Sequence, residues 1–129
     1  MAYPSDYRYT KEHEWVKLDG DVAVVGITHH AQEALGDIVF VEVPAVGSSI
    51  EAGKSFGTVE SVKAVSDVFA PVSGTVTETN SELSTAPEKI NQDAHQAWII
   101  KVKLKDPSQV KALMSAASYE KFLQEEGAN

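Results

Sequence analysis

Gly57-Thr58-Val59-Glu60-Ser61-Val62-Lys63-Ala64-Val65-Ser66-Asp67 is the stretch whose reading decides the fold. Residues 55–62 and 65–70 read as two strands, rich in valine, that flank Lys63-Ala64. The spacing predicts a tight hairpin with Lys63 at its tip. Pro71 and Gly74 end the pair, because proline cannot donate to a sheet ladder.

Short strands continue in both directions. Upstream, Ile38-Val39-Phe40-Val41-Glu42-Val43 is a β-rich run closed by Pro44, and Gly47 and Gly53 punctuate the turns that follow. Further back, residues 15–18 and 22–27 flank Asp19-Gly20-Asp21, which is a hairpin pattern. Thr28 can cap a helix of about two turns over His29 to Leu35, with Gly36 as its stop. Downstream, Thr75-Val76-Thr77-Glu78 opens another strand. Trp98, Ile100, Val102 and Leu104 then share one parity, and Lys101, Lys103 and Lys105 share the other. That period of two predicts a half-buried antiparallel strand. Trp15 and Trp98 are expected in the core.

The tail changes period. Asp106-Pro107 opens a helix carrying Val110, Leu113 and Met114, with a break expected near Ala116. Ser118 is expected to cap a further turn with Tyr119, Phe122 and Leu123. The chain of 129 residues shows no internal period, so a single domain over 1–129 is expected, with a β core at about 7–105 and a helical segment at about 107–126. The fold class is mainly β, with many short strands, a short internal helix and C-terminal helices.

Composition narrows the function classes. The net charge is −8, and phosphate binding needs a cationic face, so nucleic acid is not an expected partner. The excess sits in the middle: residues 31–100 carry ten acids against Lys54, Lys63 and Lys89. An acidic face of this kind either solubilises the protein or steers basic partners. No apolar run reaches the length of a membrane span, so no membrane partner is expected. The N-terminus has neither signal-peptide nor transit-peptide character, so a complete cytoplasmic chain is expected. There is no cysteine, so any thiol chemistry would come from a cofactor. His29-His30 are helix neighbours about 100° apart, which is poor geometry for chelation, and no metal site is expected.

Gly47 stands sixteen residues before Lys63 and Gly74 eleven after it. This spacing around a tip lysine resembles the biotinyl/lipoyl domain superfamily. Glu60-Ser61-Val62-Lys63-Ala64, with Gly57 before it and Ser66-Asp67-Val68 after it, is similar to the lipoylation site of the glycine cleavage H-protein family. So are His13-Glu14-Trp15-Val16, Gly26-Ile27-Thr28, Leu35-Gly36-Asp37-Ile38-Val39-Phe40-Val41 and Ala97-Trp98-Ile99-Ile100-Lys101. The resemblance runs from about Tyr7 to Glu126. A biotin carrier is expected to show Met-Lys-Met, from which Val62-Lys63-Ala64 departs; dehydrogenase lipoyl domains usually read Asp-Lys-Ala.

The resemblance implies an antiparallel β-sandwich or flattened barrel of hybrid lipoyl-domain type. It implies lipoate in amide linkage to Lys63, on an arm of roughly 14 Å. The chain would be a non-catalytic, monomeric carrier. It would shuttle the aminomethyl group of glycine and reducing equivalents among a pyridoxal-phosphate-dependent glycine decarboxylase, a folate-dependent aminomethyltransferase and dihydrolipoyl dehydrogenase. Glu14 and Asp67 are the acids nearest an arm pocket, where a carboxylate would bind the cationic amine. Glu60 would be a recognition charge for the lipoate-attaching enzyme. Three alternatives stay open: a biotin carboxyl carrier, a lipoyl-relay protein of the same fold, and a hydrolase using Glu14, Asp67 and a histidine.

Overall fold

A computed structural model describes residues 3–127. Its nine strands form two antiparallel sheets. The larger sheet contains β1 (Arg8–Tyr9), β2 (Glu14–Asp19), β3 (Val22–Ile27), β5 (Ser49–Ile50), β8 (Gly74–Thr79) and β9 (Ile100–Leu104), in the order β1-β2-β3-β9-β8-β5. The smaller contains β4 (Ile38–Glu42), β6 (Ser55–Ser61) and β7 (Val65–Phe69), in the order β4-β6-β7. The fold is thus mainly antiparallel β with short helices and a C-terminal helix, as its sequence predicts.

The two sheets share one apolar core. Val25, Ile27, Val76, Ile100 and Val102 from the larger sheet belong to the same buried cluster as Ile38, Val41, Val59 and Val68 from the smaller. Alternation puts these side chains inward, and on β6 and β9 it leaves neighbours such as Glu60 and Lys103 facing water. On the outer face of β6, Glu60 stands between its cross-strand partners Phe40 and Val65, and Thr58 stands between Glu42 and Asp67.

A second cluster lies on the other side of the larger sheet. Tyr7, Tyr9, Trp15 and Tyr119 are buried there together. Trp15 faces Gly26 across the ladder, and a Cβ at Gly26 would lie 2.5 Å from the indole ring. Only glycine leaves room for that approach. Trp98 departs from expectation. It precedes β9 instead of lying in it, is only half-buried, and has the Lys101 ammonium 4.8 Å from its ring.

Thr28 caps α1 (His29–Leu35), its hydroxyl accepting the Ala31 N–H at 3.2 Å, and Gly36 ends the helix. Two short helices that local periodicity does not announce follow β8: α2 (Glu82–Thr85) and α3 (Lys89–Gln92). The tail forms α4 (Ser108–Lys111) and α5 (Ala116–Gly127). The break between them is a β-bridge, in which Tyr9 and Met114 exchange backbone hydrogen bonds of 2.9 Å. Ser115, not Ser118, supplies the cap of α5: its hydroxyl accepts the Ser118 N–H at 3.2 Å.

Candidate functional site

The hairpin of β6 and β7 turns through Val62-Lys63, both exposed. Ser61 is buried and closes the turn. Its N–H donates to the Ala64 carbonyl at 2.7 Å, and its hydroxyl accepts the N–H groups of Lys63 (3.3 Å) and Ala64 (3.1 Å). A serine hydroxyl thus does the work of a backbone carbonyl in the turn. The Val62 N–H donates outward, to the Asp37 carbonyl at 3.0 Å. The tip is therefore fastened to the turn that joins α1 to β4.

Gly36 forms the floor of that contact. Its φ of 82° and ψ of −154° belong to a backbone region almost restricted to glycine. A Cβ built there would lie 3.4 Å from Lys63 Cε, so the lysine stem runs along a strip of bare backbone. Asn91 of α3 supports the strip from beneath. Its amide nitrogen donates to the Gly36 carbonyl (2.9 Å) and to Gln32 Oε1 (3.0 Å), and its oxygen accepts the Ile38 N–H (2.9 Å).

The surroundings of Lys63 are apolar and acidic. Val62 (71% exposed), Val65 (65%), Phe40 (51%) and Val39 (47%) are most of the exposed large apolar side chains among the described residues. Lys63 makes no ion pair among the described residues. Asp37, Glu42, Glu60 and Asp67 make none either, whereas Asp21, Glu51, Glu78 and Glu82 each pair with a lysine. These four acids lie on or beside the hairpin: Glu60 and Asp67 in its strands, Glu42 opposite Thr58, and Asp37 against Val62.

The acids singled out from the sequence differ in setting. Glu60 is exposed on β6 in the row with Phe40 and Val65. Asp67 is exposed on β7 and accepts from the Ser55 hydroxyl at 3.3 Å. Glu14 is 2% exposed, with both oxygens occupied. Oε1 accepts from the Thr10 hydroxyl at 2.6 Å, and Oε2 accepts the Phe69 N–H at 3.2 Å. Burial pushes its carboxyl up to about 7, against the lowering pull of those two donors. Glu14 and Asp67 thus approach the same strand, one from within and one from the surface.

Over residues 7–126 the chain matches the family model of the glycine cleavage H-protein. The chain belongs to this family. It is 63% identical over 126 residues to the glycine cleavage system H protein of Acidobacterium capsulatum, covering 98% of each chain. It is 63% identical over 129 residues to that of Koribacter versatilis, covering 100% of each. A crystal structure of the Mycobacterium marinum glycine cleavage system H protein superposes with a TM-score of 0.86 at 39% identity, covering 97% of this chain and 99% of that one. The membership inferred from motifs around Lys63 is thereby shown.

Sequence reading missed three residues that hold Glu14 and the hairpin tip in place. Ser61 had a detectable signal, since serine favours the first position of a turn. Asn91 had none, because its partners lie 53 to 59 residues away; Thr10 bonds Glu14 only four residues on, across a turn that no periodicity marks.

Proposed function

We propose that this H-protein family member works as a single lipoyl-carrier domain of the glycine cleavage system, with lipoate in amide linkage to Lys63. The observation that carries the reading is an exposed lysine amine, without an ion pair among the described residues, at a turn whose backbone is pinned on both sides. The residues present fit the group. A stem lying on bare glycine backbone meets no side chain at Gly36 when it swings out. A bound lipoyl group supplies a dithiolane that carries the aminomethyl group and electrons between the decarboxylase, the folate-dependent aminomethyltransferase and dihydrolipoyl dehydrogenase. The chain itself holds the arm's root, excludes water from its core and offers surfaces, so it acts as a non-catalytic component.

The Phe40–Glu60–Val65 row supports recognition by the lipoate-attaching enzyme. An apolar patch with one charge at its centre gives both area and register. For the arm pocket, Asp67 offers an accessible carboxylate on β7. Glu14 lies behind the same strand, and an ammonium reaches it when its contact with the Phe69 N–H opens. Such a charge would favour the ionised carboxylate over the neutral form that burial favours. No helix among the described residues is long and apolar enough to cross a membrane; work in the cytoplasm, as a monomer, is part of the same proposal.

The test is direct. The purified apoprotein is incubated with a lipoate-attaching enzyme, lipoate and ATP, then examined by intact and peptide mass spectrometry. The expected result is one lipoyl group, on Lys63, and none on Lys63→Arg. Modification elsewhere, or none in the native chain, overturns the reading.

A further inference from the structure

We propose that Asn91 is a positioning residue for the acylation of Lys63, acting through the Gly36–Asp37 shelf; the proposal rests on the carrier reading above. Asn91 lies on α3, 55 residues from Gly36 in sequence. Its amide makes three hydrogen bonds and touches neither the lysine nor the hairpin through them. Two partners are carbonyl oxygens and one is an N–H, so the amide fits in one orientation only: reversing it would set oxygen against oxygen.

The three partners define a rigid corner. Gln32 is in the last full turn of α1, Gly36 ends that helix, and Ile38 begins β4. Asn91 therefore ties both arms of the α1–β4 turn to one side chain. The turn then does two things for the hairpin tip. The Asp37 carbonyl receives the Val62 N–H at 3.0 Å, which sets the height of the tip. Gly36 backs the lysine stem, which sets the direction in which the amine leaves the surface. Without Asn91, the Gly36 carbonyl and Ile38 N–H lose these partners, and a turn containing a glycine at φ 82° has far more freedom.

In the transfer the neutral Lys63 amine attacks the carbonyl carbon of the acyl adenylate that the attaching enzyme makes from lipoate and ATP. The amide C–N bond forms as the anhydride C–O bond breaks, AMP leaves and an amine proton passes to solvent. The amine must meet that carbon at bonding distance along one approach. Presentation on a fixed shelf converts part of that search into preorganised geometry. The row of Phe40, Glu60 and Val65 is held by the β4–β6 and β6–β7 ladders; Asn91 touches β4 only at its first residue, Ile38, on the far side of the irregularity that separates Ile38 from Phe40. Loss of Asn91 should thus act on the rate of transfer, not on docking.

The experiment compares the full-length apoprotein with Asn91→Ala and Asn91→Asp; the second keeps the size and the acceptor but removes both donors. Val110→Ala, at the buried residue of α4, serves as a destabilised control away from the tip. Lipoylation by the attaching enzyme is measured at varied carrier concentration, and amide exchange is followed at Val62. In both Asn91 variants kcat should fall by about tenfold while KM stays within about twofold. Val62 exchange should rise, and Val110→Ala should change neither despite lower stability. Lipoylation of both variants at the native rate, or unaltered Val62 exchange, overturns the proposal. Exchange is read on unmodified protein, so it decides the shelf even where the native chain accepts no lipoate, a result that overturns the carrier reading instead.

Discussion

Glu14 Oε2 accepts the backbone N–H of Phe69 at 3.2 Å, and this single bond stitches the edge of the smaller sheet to β2 of the larger. β7 is an edge strand, so its outward N–H groups need partners other than a neighbouring strand. A carboxyl buried between the sheets meets one of those needs just beyond Asp67.

That burial predicts a pH dependence of stability. Glu14 titrates near 7 in the fold, against an ordinary value of 4.5 for a free glutamate. Between these limits the folded state binds more protons than the unfolded state, so stability is highest at the acid end and falls as pH rises. The loss is on the order of 3 kcal/mol once the pH passes the folded value. Glu14→Gln should flatten this slope, and urea unfolding from pH 4.5 to 8.5 measures it. A slope identical in the two proteins would contradict the burial argument.

The turn hydroxyl of Ser61 should matter more than its size suggests. Ser61→Ala leaves the N–H groups of Lys63 and Ala64 without their acceptor at the tip. A loss of about 1–2 kcal/mol is expected, partly relieved by water because the tip is exposed. Chemical denaturation gives the magnitude, and faster amide exchange at Ala64 locates it.

Gly36 carries a backbone conformation that an L side chain tolerates poorly. Gly36→Ala should cost about 1–3 kcal/mol through strain alone. The new methyl also reaches the Lys63 stem. A lowered Tm accompanied by slower lipoylation is expected; a Tm unchanged within error would show that the α1–β4 turn can relax.

The acids around the hairpin should be visible in kinetics. Glu60→Gln removes the charge between Phe40 and Val65 without altering the row's shape. The carrier's KM for the attaching enzyme should rise several-fold at low ionic strength, and the difference should shrink toward 0.5 M salt, where the Debye length falls below roughly 5 Å. A native KM independent of salt would remove electrostatic steering from the account.

Some features were legible because they are written in neighbouring residues. The Lys63 hairpin follows from a turn between two β-rich runs. The α1 boundaries follow from Thr28 and Gly36, and β9 follows from its alternation of isoleucine, valine and leucine with lysine. Misplaced features depended on competition. Trp98 shares the parity of β9, yet it sits before the strand, where Asn80 holds its carbonyl and Lys101 covers its ring. Ser118 looked like a cap, but the Tyr9–Met114 bridge fixes where the chain re-enters a helix, and Ser115 falls at that point.

Local pattern alone determined the longer strands, the tip lysine and the family motifs, because each depends on a backbone preference or a spacing within a few residues; the two-residue strands β1 and β5 exist only through their partners β2 and β8. Tertiary structure alone decided that Glu14 lies buried against Phe69 and that Asn91 supports the floor beneath Lys63. Those bonds join residues 55 positions apart, and only the packing of two sheets and a short helix brings their polar atoms within 3.2 Å.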